Sequence, residues 1–263
     1  MKAPSFAYAR PASLPEALDL LARPGAKILA GGQSLIPALN MRLSSPELLV
    51  DIGGVPGLNS IEIKKETVWI GALVTHAQLE KSEEIRKHLP LLSQAAPHIA
   101  HPAIRNRGTI GGSLALADPA AEFPACAVAL NANLIAESKK GRRKIPAEQF
   151  FKGLFETDLK PGEILVAVEF PVAKKGDRSV FLELARRRGD YATVGLAVFN
   201  SRFVFLAVGS KPQLVEGNSL QKTREILAKT LNPAADLYHT SATKLHLAGV
   251  LLERAWNTLS TSH

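Results

Sequence analysis

The sequence predicts an α+β protein, built as two N-terminal α/β subdomains followed by a smaller C-terminal α/β subdomain. Short apolar runs of strand length alternate with helix-period segments along all 263 residues. Two breaks rich in glycine, proline or charge, at 53–57 and 171–177, interrupt that alternation. A hydrophobic content of 46% with 21% charged residues is that of a globular chain able to bury a sizeable core. The expected units are therefore 1–57, 58–176 and 177–263.

In order along the chain, Ser13 caps a helix over 13–23 with Leu14, Leu18 and Leu21 on one face, and Arg23-Pro24-Gly25 stops it. Lys27 to Ala30 reads as a short buried strand, and Leu48 to Ile52 as another, with a loop and a helix between. Ser60–Glu62 and Thr67–Ile70 pair around the Lys64-Lys65-Glu66 turn. Helices are expected over 76–87, 90–99 and 119–130, the last with Asp118 as cap and Pro119 in its first turn. Strands follow at Ala132–Glu137 and Glu163–Phe170, with Lys139 to Lys144 as a surface hairpin turn. The last unit alternates strands at 181–185, 194–199 and 203–208, then ends in helices over 219–230 and 239–258, where Leu245, Ala248, Leu252 and Ala255 share a face.

Two double-glycine loops stand out within this frame, Ala30-Gly31-Gly32-Gln33-Ser34 and Gly108-Thr109-Ile110-Gly111-Gly112-Ser113. Glycine allows a turn where a side chain would clash and leaves backbone N–H groups bare to an anion. Ser34, Thr109 and Ser113 add hydroxyls. One such loop alone reads as an ordinary turn, but two can close on one diphosphate from opposite sides. Neither G-x-x-x-x-G-K-S/T nor a G-x-G-x-x-G between strand and helix is present, so a P-loop or Rossmann fingerprint does not account for them.

Composition excludes several other classes. A single cysteine, Cys126, leaves no internal disulfide and no iron–sulfur cluster held by four thiolates of this chain, and its apolar flanks make it a buried small hydrophobe. The seven histidines form no metal-ligand cluster; His98 and His101 are close in sequence but lack a third ligand. The net charge of +8 is spread over short runs such as Arg186-Arg187-Arg188 without interleaved aromatics, which argues against nucleic acid and fits an acidic partner or a polyanionic cofactor. The first residues hold no apolar run of signal-peptide length, and no apolar stretch approaches the roughly 18 residues of a membrane span, so the expected compartment is the cytoplasm, without membrane insertion.

With their flanks, the loops resemble the FAD-binding medium subunit of the molybdenum hydroxylase family, which includes carbon monoxide dehydrogenase and xanthine dehydrogenase. The resemblance rests on residues 28–43, ILAGGQSLIPALNMRL, on 104–113, IRNRGTIGGS, on 117–124, ADPAAEFP, on Pro161-Gly162-Glu163-Ile164, on Arg188-Gly189-Asp190-Tyr191-Ala192 and on the closing stretch from Ala235 to Ala255. It implies a PCMH-type FAD-binding fold over nearly the whole chain. It further implies that Ile28, Leu29 and Ala30 lead into the site. Gly31, Gly32, Gln33, Ser34 and Leu35, together with Thr109, Ile110, Gly111, Gly112 and Ser113, would wrap the FAD pyrophosphate with backbone N–H groups and hydroxyls. Ile99 falls near the adenine, Asp118 and Glu122 near the flavin, and Tyr191 where an aromatic stacks on the isoalloxazine; each also suits a purely structural role in the core or in a helix's first turn. Arg105 and Arg107 either hold the second loop or touch phosphate. Leu116 departs from the polar residue common in the family, and Ala207 to Pro212 depart from its double glycine, which implies a shorter or looser third subdomain.

The resemblance also implies an electron-transfer role. A large molybdopterin-binding subunit and a small subunit with 2Fe–2S clusters would be the partners, in two copies of a three-subunit unit. Electrons would reach FAD from the clusters and leave to NAD⁺, a quinone or another external acceptor, with no catalytic acid or base required of this chain. Two other readings stay open: a self-sufficient flavin reductase or oxidase on the same fold without molybdenum, and a binding module that has lost its cofactor.

Overall fold

The computed structural model describes residues 2–261; residues 1, 262 and 263, the end residues of the expected first and last units, lie outside it. Three sheets follow one another along the chain, with a small two-stranded ribbon beside the second.

The first sheet is parallel. It is made of β1 (Ala7–Ala9), β2 (Ala26–Leu29) and β3 (Leu48–Asp51), in the order β1-β3-β2, with α1 (Leu14–Leu21) and α2 (Leu35–Asn40) as crossovers. The central position of β3 explains its unbroken Leu48-Leu49-Val50 run, since a strand paired on both sides and covered by helices is buried throughout. Ser13 caps α1 as expected, its hydroxyl accepting from Glu16 N–H, while Glu16 Oε2 accepts from Ala12 N–H at 2.8 Å.

The second unit strings together β4 (Ile61–Ile63), β5 (Thr67–Gly71), α3 (His76–Lys81), α4 (Glu83–His88), α5 (Pro90–Ala95), α6 (Pro102–Arg105), α7 (Ile110–Leu116), α8 (Glu122–Ala129), β6 (Asn133–Ser138), β7 (Gly141–Pro146), α9 (Ala147–Phe150), β8 (Phe151–Gly153), β9 (Glu156–Thr157) and β10 (Ile164–Pro171). Its antiparallel sheet runs β4-β5-β10-β6-β7. Strand β10 divides the core by its period of two: Leu165, Val168 and Phe170 face the helices, whereas Ile164, Val166 and Ala167 pack with Ala17, Leu18 and Val50 of the first unit. A register shift between Leu165 and Ala167 adjusts that alternation.

The third unit is an antiparallel meander of β11 (Ser179–Leu184), β12 (Val194–Phe199), β13 (Arg202–Leu206) and β14 (Gln213–Glu216), closed by α10 (Leu220–Thr230) and α11 (Ser241–Thr261). One sheet face, with Val180, Leu196, Val198 and Phe205, packs on Leu227, Ala248, Leu251, Leu252 and Ala255. The other face, with Phe181, Ala197, Val204 and Leu206, joins the core of the second unit. Side chains fasten this junction: Gln94 Oε1 accepts from Phe181 N–H at 3.0 Å, and Arg202 donates to the carbonyls of Val128 and Ala129 at the end of α8.

Several sequence expectations are corrected. The helix expected over 76–87 breaks at Ser82, which is extended and caps α4 by accepting from Ile85 N–H. The helix expected over 119–130 begins at Glu122; Asp118 instead closes the preceding turn, accepting from Ala120 N–H at 2.9 Å. Residues 110–113, expected as part of the second glycine loop, instead begin α7. Of the basic run 139–144, only Lys139 and Lys140 turn the hairpin, while Arg142 to Lys144 lie in β7 and Arg143 pairs with Asp158 and Glu163.

Candidate functional site

Strand β2 ends at Leu29 and delivers residues 30–34 to the edge of the first sheet. The second glycine loop arrives there from α6, and the two loops touch. A Cβ added at Gly31 would lie 2.0 Å from the carbonyl oxygen of Arg107 and 3.0 Å from Gly108 Cα, so only glycine permits the approach. Gly32 adopts φ +73°, the left-handed conformation, and turns the chain into α2.

The loops differ in where their N–H groups go. Among the described residues, no protein acceptor takes the backbone N–H of Gly31, Gly32, Gln33 or Ser34; Gln33 folds its side chain back onto the Gly31 carbonyl at 3.2 Å, and the Ser34 hydroxyl makes no capping bond. Four adjacent bare donors make a cradle for an anion. The second loop is anchored to the protein instead. Ile110 N–H donates to Val74 O at 3.0 Å, Gly111 N–H to Ala72 O at 2.9 Å, Gly112 N–H to Thr109 Oγ1 at 3.1 Å and Ser113 N–H to Thr109 O at 3.0 Å. The expectation that both loops present runs of bare N–H groups is thus narrowed: in the second, only Thr109 N–H lacks a protein acceptor among the described residues, beside the unclaimed Ser113 hydroxyl, and the rest is a rigid wall. Gly111 is needed for packing, since a Cβ there would fall 2.4 Å from that of Ala72.

Arg105 is buried and holds this wall. Its guanidinium donates to Glu80 through Nε at 2.8 Å and to the carbonyls of Ile99 and Ala100 at 3.0 and 3.1 Å, which leaves it no role at a phosphate. Arg107, by contrast, is exposed. Ile99 is 9% exposed and belongs to the core, while Ile28, Leu29 and Ala30 are half-buried along the approach to the first loop.

A second group of predicted residues gathers beyond the other end of α7, which rises about 10 Å over its seven residues. Partial burial of the Tyr191 phenol, then the nearby Asp118 and Glu122 carboxylates, raise it above its ordinary value. The Tyr191 residue as a whole is 77% exposed. Glu122 is buried at the start of α8, and burial, then the neighbouring Glu183 carboxylate, push it up to about 8. Burial pushes Glu183 up to about 7. Among the described residues, no three His, Cys, Asp or Glu side chains form a metal-binding group, and no helix is long and apolar enough to cross a membrane.

A diphosphate cradle at one end of α7 and a polar, aromatic-flanked site at the other suit an extended dinucleotide. Residues 4–173 match the model of the FAD binding domain in molybdopterin dehydrogenase. The chain belongs to this family. Its cofactor is FAD, and it is an oxidoreductase component of the medium-subunit type found in molybdenum hydroxylase complexes. It is 52% identical to the 6-hydroxypseudooxynicotine dehydrogenase complex subunit alpha of Paenarthrobacter nicotinovorans, over 75% of this chain and 67% of that protein. The nicotine 6-hydroxylase medium subunit of the same organism is 39% identical over 97% of both chains. Carbon monoxide dehydrogenase from Hydrogenophaga pseudoflava contains a chain that superposes with a TM-score of 0.93 at 35% identity, covering 98% of each.

The cradle fits the group that the family carries: its donors are bare, and its closest approach is one a Cβ would fill. Of the two roles the sequence left open for Arg105, the structure shows the holding one; the contact of Glu183 with His98 was missed. Glu183 had a signal, being an acid flanked by leucines in the strand Val180-Phe181-Leu182-Glu183-Leu184 and on the Phe181 face by the period of two.

Proposed function

We propose that this chain is the electron outlet of a heteromeric molybdenum hydroxylase, holding FAD across the junction of units 1–57, 58–176 and 177–263. The observation that carries the reading is the contact of the two glycine loops at Gly31 and Arg107 beside four unclaimed N–H groups. Gly31, Gly32, Gln33, Ser34 and Leu35 would hold the pyrophosphate through backbone N–H groups. Thr109, Ile110, Gly111, Gly112 and Ser113 would face it as a fixed wall, with Thr109 N–H and the Ser113 hydroxyl as its donors. Ile28 to Ala30 lead in, Ile99 backs the adenine end, and Asp118, Glu122 and Tyr191 surround the ring end.

Bound FAD supplies the redox chemistry, accepting electrons and releasing them to an external acceptor. The residues of this chain position it. Arg105 fixes the wall, the third unit brings Tyr191 over the site, and the lone Cys126 is fully buried in α8. Clusters must therefore come from a second polypeptide, and the substrate site from a third. Relatives named as a medium subunit, a medium chain and a complex subunit support a large molybdopterin partner and a small 2Fe–2S partner, in two copies of the three-subunit unit. NAD⁺ or a quinone would take the electrons, in the cytoplasm.

Purification of the chain with its native partners tests this reading. It predicts one FAD per chain, two further subunits of which one carries iron and sulfide, and no substrate turnover by the chain alone. Full turnover by the isolated flavin-loaded chain would establish the self-sufficient reductase or oxidase instead.

A further inference from the structure

The segment Val74-Thr75-His76 runs antiparallel to the second glycine loop and is bonded to it. Ile110 N–H donates to Val74 O at 3.0 Å, Thr75 and Thr109 form a β-bridge, and His76 N–H donates to Gly108 O at 2.9 Å. This pairing seats the His76 side chain against Gly108. A Cβ added at Gly108 would lie 2.7 Å from His76 Cδ2 and 2.9 Å from Nε2, so the edge of the ring occupies the space that only a glycine leaves. Gly108 in turn meets the first loop, where a Cβ added at Gly31 would fall 3.0 Å from its Cα. The imidazole, Gly108 and Gly31 are therefore in successive contact.

His76 lies in the first turn of α3 and is 5% exposed. Its ring also packs on Phe123 of α8, with centroids 5.2 Å apart and planes inclined at 56°. Its Nδ1 has no hydrogen-bond partner among the described residues. The charged group that acts on it is Arg105 of α6, whose guanidinium is itself held by Glu80, one turn further along α3. Among the described residues, His76 has no carboxylate in an ion pair. Burial, then Arg105, hold the imidazole down at about 4, so the ring is neutral at ordinary pH and packs as an apolar body. A flat five-membered ring fits the narrow space that Phe123 and Gly108 leave, and its orphan nitrogen is a penalty accepted for that shape.

We propose that His76 is a positioning residue for the cofactor: its imidazole, packed on Phe123 and Gly108, keeps the second loop pressed on Gly31 and so sets the geometry of the bare N–H groups in the first. The inference rests on the FAD reading above and adds to it a residue that belongs to neither loop. Arg105 anchors the second loop through the carbonyls of Ile99 and Ala100, whereas His76 acts at the point where the two loops meet.

Titration of FAD into the full chain, followed by flavin fluorescence, tests this role, with denaturant melts of the FAD-free chain run alongside. His76→Ala removes the ring edge and lets Gly108 settle away from Gly31, and FAD binding should weaken about 10-fold. The readout that a merely structural histidine would not move is a double-mutant cycle with Gly31→Ala. Once the ring is gone, the Cβ added at Gly31 finds room, so the double variant should bind FAD no more than about 10²-fold more weakly than the wild type. FAD binding by folded His76→Ala within about twofold of the wild type, whatever its loss of stability, would overturn the positioning role. So would a double variant weakened by about 10³-fold, the product of two independent effects. Should His76→Ala fail to fold, His76→Val, which keeps apolar bulk but lacks the ring edge at Gly108, carries the same cycle. A wild-type chain that takes up no FAD would instead overturn the flavin reading on which the role rests.

Discussion

Gly31→Ala addresses the contact on which the flavin cradle depends. The added Cβ would lie 2.0 Å from Arg107 O, about 1.4 Å short of the 3.4 Å at which ordinary van der Waals contact begins. Both partners are backbone, and the second loop cannot retreat easily, because Ile110 and Gly111 are bonded to Val74 and Ala72 beneath it. The first loop must move, and it is the one with the bare N–H groups. Displacement by 1 Å is enough to cost about 10²-fold at a site whose function is positioning, or about 2.7 kcal/mol. Overpacking should also lower the stability of the FAD-free chain by roughly 1–3 kcal/mol. Titration of FAD into the variant, followed by quenching of flavin fluorescence, should show binding weakened by about 10²-fold. Gly249→Ala is the control, because nothing lies within 4 Å of a Cβ at that helical position. It should leave FAD binding unchanged and stabilise α11 by up to about 1 kcal/mol. FAD binding by Gly31→Ala within threefold of the wild type would refute the cradle.

Three further outcomes follow from the same geometry. Arg105→Ala leaves the partly buried Glu80 carboxylate and two carbonyls without their donor, and thermal or denaturant unfolding should show a loss of about 2–4 kcal/mol, below the upper figure for a fully buried pair because Glu80 is 27% exposed. Tyr191→Ala should leave the stability of the FAD-free chain within about 0.5 kcal/mol, since the residue is 77% exposed, yet weaken FAD binding roughly 3- to 10-fold in the same fluorescence titration. Glu122 rises from an ordinary 4.5 to about 8, so across that window the folded chain holds a proton that the unfolded chain has lost, and stability must fall as pH rises through it. Between pH 6 and pH 8 Glu122 contributes about 2 kcal/mol of that loss, in addition to the share of Glu183, so denaturant melts of Glu122→Gln at the two pH values should differ by about 2 kcal/mol less than those of the wild type.

Much of this was legible in the sequence because it depends on local pattern. The cap at Ser13, the pairing around Lys64, the long apolar strand ending at Phe170 and the two terminal helices all carry their signal within a few residues. Other features depend on partners distant in sequence. Strand β1 is three residues long and exists because Leu48 to Val50 pair with it. Helix α7 begins with Ile-Gly-Gly, a poor helix sequence, and forms because Thr109 caps it while Val74 and Ala72 anchor its first turn. The break at Ser82 was visible in principle, since a serine followed by two glutamates starts a helix as readily as it continues one. At the site, glycine spacing marked both loops, but only tertiary contacts decide that the first keeps its N–H groups free while Ile110 and Gly111 of the second are claimed by Val74 and Ala72. Arg105 next to Arg107 offered no hint of which would be buried; Glu80 and the carbonyls of Ile99 and Ala100 settle that.

Anaerobic rapid mixing of the native complex tests the central claim most directly. With the iron–sulfur centres reduced first, the account predicts that electrons pass to the FAD on this chain, seen as bleaching of the oxidised-flavin band that reverses when an external acceptor is added. Iron–sulfur centres that stay reduced beside an unbleached flavin, or a flavin that responds only to substrate added to this chain alone, would contradict it.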